Sequence, residues 1–326
     1  MLTKIKIKSL FNIFDYDIDL TNSDNTTVKF ITAPNGYGKT TILDFVNAAM
    51  RQSYDTFFIV PFKTFELFFD EAGSEVFYKY SVTRNDEKSS VSDTDVVQTL
   101  FKKLTVNLQR ISGNEESLIE QFSVKQKPNG AIRTVGDMDN TQMFFVSRTC
   151  YYLTDKRALI QKMDVVDETM IIEDRPITPY PKNLKAILES PTKSREYEAR
   201  IATFRDIINR CEFANKHLEI DKRFGFRFVA NDELHTILTL DQLSSGEKQM
   251  IIQVYELLFC AQSGTLVMID EPELSLHMMW QMNYLKNLSD ISRLRGFQCI
   301  VSTHSPQIFN SLWSKSVDLF TLSNQE

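Results

Sequence analysis

Hydrophobic and polar residues change their spacing several times along the chain, and each change marks an element. In the first ten residues Lys4, Lys6 and Lys8 alternate with Ile5 and Ile7, the period of a half-buried strand. Residues 28–32 make a second short, apolar-leaning strand. Residues 40–50 then place Ile42, Leu43, Phe45, Val46 and Ala49 on one helical face. Phe65, Leu67 and Phe69, followed by Val76, Tyr78, Tyr80 and Val82, alternate as antiparallel strands do over residues 63–85. A polar loop is expected at 85–94. Residues 96–111 carry Val97, Leu100, Phe101, Leu104 and Leu108 at helical spacing, which predicts a helix, and 143–146 predict a short apolar strand.

The second half is punctuated differently. Pro176, Pro179 and Pro181 make 155–181 an irregular crossing segment, and 183–217 read as one or two helices broken near Pro191. Residues 224–229 and 236–240 predict a hairpin. A helix over 247–261 turns Met250, Ile251, Val254, Leu257 and Leu258 inward. The unbroken apolar run 266–269 predicts a buried parallel strand, and 298–302 and 317–322 supply the last two strands. Strands alternating with helices give an α/β class. The 326 residues would hold two ordinary domains or one large domain with insertions. The chain divides into 1–150, 151–235 and 236–326, with no internal repeat.

Composition narrows the setting. Cys150, Cys211, Cys260 and Cys299 are scattered without CxxC spacing, so reduced thiols are expected rather than disulfides or zinc ligands. No opening apolar stretch resembles a signal peptide and no segment has the length of a membrane span, so a cytoplasmic protein with no membrane partner is expected. A net charge of −6 offers no global attraction to nucleic acid. Residues 182–227 nonetheless hold 11 Lys/Arg against 7 Asp/Glu, which suits a nucleic-acid groove, a docking face or a solvated helix surface.

Chemistry concentrates in four strings. Residues 33–40 read APNGYGKT between a strand and a helix, so successive backbone amides and the helix dipole face a phosphate chain. Asn35, Gly36, Tyr37, Gly38, Lys39, Thr40 and Thr41 are the candidate nucleotide ligands. Lys39 would reach the β- and γ-phosphates, and the Thr40 hydroxyl would sit on Mg²⁺. Ala33 stands where this pattern usually has glycine. The run at 266–269 delivers Asp270 as a Mg²⁺ ligand and Glu271 as the group that orients and deprotonates the attacking water. Ser244, Ser245, Gly246 and Glu247 open the helix after 243, as an N-cap and as an anion-binding surface.

LSSGE at 243–247 resembles the signature motif of ABC-type ATPases, in which it binds the γ-phosphate held on the opposite protomer. EPELSLH at 271–277, the Trp280-Gln281 step, THSP at 303–306 and SPQI at 305–308 resemble the SMC/RecF/OLD lineage. More narrowly they resemble bacterial AAA-15/AAA-21 ATPases of phage defence, of the PARIS, Septu and retron-associated types. The resemblance implies an ABC-ATPase head with a P-loop core, here with an antiparallel β subdomain and a short helical insertion; the helical stretch is too short for the long coiled-coil arms of SMC-type relatives. It implies ATP and Mg²⁺ as cofactors, His304 as a γ-phosphate switch, and residues 274–277 crossing the interface of a nucleotide-sandwiched homodimer. The glutamine that contacts Mg²⁺ at the junction of the two lobes is assigned to Gln142, at the start of the strand expected over 143–146.

These relatives include nucleases carrying a further TOPRIM domain, for which the residues after the last expected strand leave no room. A sensor or scaffold acting on a separately encoded effector such as a nuclease is therefore expected, with slow hydrolysis. A RecF-like DNA clamp is the alternative. A transporter subunit fits poorly with EPELSLH and THSP.

Overall fold

Tyr80 shows how the antiparallel part is built. It pairs with Leu67 on one side and Leu108 on the other, and Leu67 pairs in turn with Ile5, so four buried side chains cross the sheet in one row. Ile7, Phe65, Val82, Val106 and Phe122 form the next such row, also buried. Period-two alternation places these residues on a single face. The computed structural model describes residues 1–21, 27–71, 75–85, 87–88, 100–127, 129–146, 148–154, 170–171, 177–309 and 313–324. The chain forms a mixed α/β fold of two units.

The first unit holds Met1–Asn25, Ile31–Cys150 and Ser316–Glu326. Its sheet runs Phe14–Asp19, Leu2–Leu10, Thr64–Asp70, Val76–Arg84, Leu100–Ser112, Glu115–Gln126, Ile132–Val135, with the short strand Glu87–Lys88 beside Leu100–Ser112. The helix Lys39–Met50 buries the expected face, and Phe45 packs its ring against Phe57, Phe62 and Phe65. That aromatic contact anchors the helix that carries Lys39 and Thr40.

Three sequence expectations are corrected in this unit. Residues 100–112 are a strand rather than part of a helix. Leu100, Leu104 and Leu108 are four apart, a spacing shared by helix and strand, and the pairing of Val106 with Val82 and Phe122 decides for the strand. Val97 lies outside the described residues, as do most of the expected loop at 85–94 and much of the crossing segment. The expected strand at 143–146 is the end of a helix, Asp139–Val146. Glu120, from the neighbouring sheet, caps it by accepting from the amides of Asn140 (3.1 Å) and Thr141 (2.7 Å). Phe144 and Phe145 pack against Phe69 and Tyr80. Near the end, a strand Ser316–Asp318 gives way to a helix Leu319–Ser323, because Asp318 caps the amide of Phe320 at 3.2 Å.

The second unit holds Thr26–Phe30 and Tyr151–Lys315. Its sheet places Leu266–Asp270 beside Gln298–Thr303 in parallel, with Asp270 opposite Ser302. The strand is buried at every residue, as the unbroken apolar run predicts. Helices Pro179–Glu189, Pro191–Glu196 and Glu198–Arg210 replace the one or two expected. Pro191 starts a new helix behind the Ser190 cap. Left-handed Glu212 and Asn215 then end the helical run before a strand, Lys216–Asp221, that pairs with Gly225–Ala230. Gly225 is obligatory, since a Cβ there would sit 1.8 Å from the Pro181 carbonyl oxygen. Among the described residues the longest helix is Met278–Arg295, 18 residues, and no helix is long and apolar enough to cross a membrane.

Candidate functional site

The strand Val28–Thr32 feeds a turn at 33–38, in the first unit, in which Gly36 and Gly38 take φ of +91° and +87°. At Gly38 a Cβ would lie 2.8 Å from Leu10 Cδ2, a side-chain end that can shift, so it is the positive φ that favours glycine here. Gly38 occupies the N-cap position of the helix Lys39–Met50 and no side chain caps it. Such an N-terminus is an anion site by its dipole and its first-turn amides. Lys39 is 4% exposed and folds back to donate to the carbonyls of Ala33 (2.9 Å) and Pro34 (3.4 Å). Ala33 in place of glycine is thus accommodated, buried, with its carbonyl in use.

Tyr37 gives the turn a rigid edge. Its ring stacks on Phe14 at 5.3 Å and meets the edge of Phe320 at 5.7 Å, and its carbonyl accepts from the Tyr16 hydroxyl at 2.9 Å. Burial raises the Tyr16 hydroxyl pKa above its ordinary value, which keeps it a donor. Asn35 and Gly36 are exposed, and Thr40 and Thr41 are half-buried. Gln142 lies within the helix Asp139–Val146 on an exposed position, not at a strand start, so the geometry that selected it is absent.

In the second unit Asp270 ends its strand and accepts a hydrogen bond from the Ser302 hydroxyl. The Glu271 amide donates to the Ser302 carbonyl at 2.9 Å, and Glu271 itself is left-handed, with φ +47°. A non-glycine residue held there stores strain that the surrounding turn must impose. His304 follows the adjacent strand, and its Nδ1 lies 3.8 Å from Glu271 but 3.1 Å from Glu273. Asp270, Glu271 and His304 are therefore brought together by the parallel register. Asp270 and the Thr40 hydroxyl are both hard oxygen donors, the type that Mg²⁺ takes.

Ser244 and Glu247 form a capping box. The Ser244 hydroxyl accepts from the Glu247 amide at 3.3 Å and Glu247 accepts from the Ser244 amide at 2.8 Å. Lys216 meets the Glu247 carboxylate at 3.0 and 3.1 Å. Ser245 and Gly246 lie between the two capping partners, at the positive end of the helix. They line a cleft of about 860 Å³ with Arg210, Leu274, His277 and Trp280. Neither Asp270, Glu271 nor His304 lines it. His304 lines a second cleft of about 580 Å³ with Glu273 and Gln281, and Leu274, 56% exposed, borders both. Cys211 also lines the larger cleft, its thiol pushed up to about 12 by burial.

Three supporting residues are given no role by the sequence alone. Glu273 holds the His304 loop, Gln281 staples that loop to the turn Pro272–Ser275, and Lys216 neutralises Glu247. The second acid of EPE and the Trp280-Gln281 step carried the signal for the first two; nothing in the spacing pointed to Lys216.

A family profile, AAA_21, described as "AAA domain, putative AbiEii toxin, Type IV TA system", matches residues 34–310. Over 97 residues the chain is 33% identical to the "Retron Ec83 probable ATPase" of Escherichia coli, a match covering 26% of this chain and 18% of that protein. The chain thus spans less than a fifth of that curated relative. Two solved structures are similar at low identity. One is an SMC head bound to the C-terminal winged-helix domain of ScpA, with TM-score 0.47 and 12% identity over 95% of this chain and 91% of that one. The other is the SMC head domain from Thermotoga maritima, with TM-score 0.42 and 15% identity over the same shares.

Proposed function

We propose, since this chain belongs to the AAA_21 family of AAA domains, that it binds and hydrolyses ATP and works as a nucleotide-gated homodimer that regulates a separate effector. One observation carries the dimer. Ser245 and Gly246 line a cleft distinct from the one that holds His304, and Asp270 and Glu271 do not border it. In this reading a γ-phosphate bound at the helix Ser245–Tyr255 would belong to a nucleotide other than the one served by this protomer's own acids.

Within that reading Asn35 to Thr41 cradle the phosphates, and Lys39 exchanges its carbonyl partners for the β- and γ-phosphate oxygens. Asp270 and Thr40 are the residues that would hold Mg²⁺, which supplies charge neutralisation on the phosphates when bound. Glu271 orients the attacking water and takes its proton. His304 contacts the γ-phosphate, and Ser245 and Gly246 of the second protomer complete the site. The effector is proposed to be a nuclease in anti-phage defence, on the resemblance of the motifs at 271–277 and 303–308 to ATPases of that kind. The RecF-like alternative draws less support. Lys216, Arg223 and Arg227 of the basic region are engaged by Glu247, Asp221 and Glu219.

The test is the mass of Glu271→Gln protein with and without Mg-ATP, alone and co-expressed with the product of its neighbouring gene. An ATP-dependent doubling that captures the neighbour is expected. A monomer that doubles only on ATP and DNA together would favour the clamp, and a mass unchanged under every condition would sink the gated dimer.

A further inference from the structure

In the antiparallel sheet of the first unit, the face opposite the buried rows pairs cations with acids over much of its width. Lys6 stands opposite Asp17 and meets its carboxylate at 3.1 Å, Lys8 meets Asp15 at 2.9 Å, and Lys79 meets Glu66 at 3.0 Å. Period-two alternation puts all six on that face. The last three strands break the rule. Register sets Lys103 opposite Lys125, and Lys125 opposite Arg133. Lys127 follows two residues on, and its amide donates to the Ala131 carbonyl at 2.8 Å, which carries the ladder one step further. Lys125, Lys127 and Arg133 are exposed, and Lys103 is half-buried. The adjoining rows across these strands are Thr105, Ser123 and Val135, then Asn107 and Gln121, so no acid stands among these residues. Like charges directly opposite one another destabilise a sheet. A bound anion would reverse that effect.

We propose that the row Lys103–Lys125–Arg133, extended by Lys127, is a binding site for the phosphodiester backbone of a nucleic acid. Neighbouring strands lie about 4.8 Å apart, so the three opposed cations cover about 10 Å. One strand of a duplex carries about three phosphates along that length of axis. Thr105, Ser123, Asn107 and Gln121 add neutral hydroxyl and amide groups, the kind that meet phosphate and sugar oxygens beside lysine and arginine. An acidic protein would need an apolar centre to its interface, and these rows offer only Val135. The basic region at 182–227 differs, because Lys216, Arg223 and Arg227 there are engaged by acids. Contacts made to the backbone carry no sequence information, so binding at the row is independent of base sequence. The row uses no residue of the candidate ATP site, and the proposal stands or falls separately from the gated dimer.

The test is fluorescence anisotropy of the full chain with labelled duplex DNA, single-stranded DNA and single-stranded RNA, with and without Mg-ATP, over a series of salt concentrations. The parent should bind at least one of the three, and the preferred polymer identifies the source of the backbone. Lys125→Thr combined with Arg133→Thr should weaken that binding roughly 10- to 100-fold at 0.1 M salt, and should lower the salt slope by about 1 for each cation removed. The same double variant should melt no lower than the parent, since the opposed charges are gone. Lys8→Thr, which removes a cation paired with an acid on the same face, should leave the affinity within about twofold. Where the threonine pair does not fold, Lys125→Gln with Arg133→Gln takes its place. Parent-like affinity and salt slope in the double variant would overturn the proposal. So would a parent that binds none of the three polymers at about 50 mM salt, where phosphate contacts are strongest. Displacement of the label by poly-glutamate as readily as by unlabelled nucleic acid would assign the row to an acidic protein instead.

Discussion

Lys216 and Glu247 meet at 3.0 Å behind the N-terminus of the helix Ser245–Tyr255, with side chains 14% and 7% exposed. Glu247 also closes the capping box with Ser244. Its negative charge is therefore spent on a cap and a lysine rather than projected at the amides of Ser245 and Gly246, where it would repel phosphate. Lys216→Met should destabilise the fold by about 2 kcal/mol, below the 3–5 typical of a fully buried pair because the lysine keeps some contact with water. Nucleotide-dependent dimerisation should weaken beyond that loss. Thermal melts and solution mass measurements with and without Mg-ATP check the two effects separately.

Glu271→Gln removes the proposed proton acceptor while keeping size and shape. ATP binding should persist and turnover should fall at least about 100-fold, the contribution usual for a positioned base. Fluorescent-nucleotide titration beside a phosphate-release assay reads both. Equal turnover in variant and parent would remove Glu271 from the role of base.

Ser245→Arg should abolish hydrolysis, because the long cationic side chain fills the anion site at the helix N-terminus. Lys39→Ala should abolish it through the P-loop. A mixture of the two folded variants should recover part of the activity, since in the proposed arrangement a hybrid dimer would have one intact composite site. Mixing that gives no recovery would count against completion in trans.

The thiols should sort by burial. Reactivity belongs to the thiolate. Cys211 is pushed up to about 12 by burial, and the fully buried Cys299 is raised as well. A raised pKa keeps the neutral thiol at pH 8, where for Cys211 only about one molecule in ten thousand is ionised. Exposed Cys260 should therefore react first with a thiol reagent, and Cys211 and Cys299 only on denaturation. Labelling of Cys211 in native protein at pH 8 would show that the 860 Å³ cleft opens further than the structure shows.

Much of the candidate site was legible because its chemistry is local. A glycine turn between a strand and a helix, an apolar strand ending in two acids, and a serine cap each need only neighbouring residues to be recognised. The strands Val28–Thr32, Leu266–Asp270 and Gln298–Thr303 carry patterns that one period explains. Residues 100–112 failed for a physical reason, since leucines four apart satisfy two periods at once. Residues 143–146 failed because the cap that makes them helical, Glu120, sits more than twenty residues away on a strand.

The sequence by itself determined the chemical groups and their local frames: Lys39 and Thr40 at a helix start, Asp270 and Glu271 at a strand end, Ser245 and Gly246 past a cap. Only the tertiary structure decided which distant groups serve them. Parallel register brings Ser302 to Asp270 and places His304 beside Glu273, and folding brings Lys216 to Glu247. Such pairings depend on register and packing between segments, and one residue's identity carries no record of its partner across the fold.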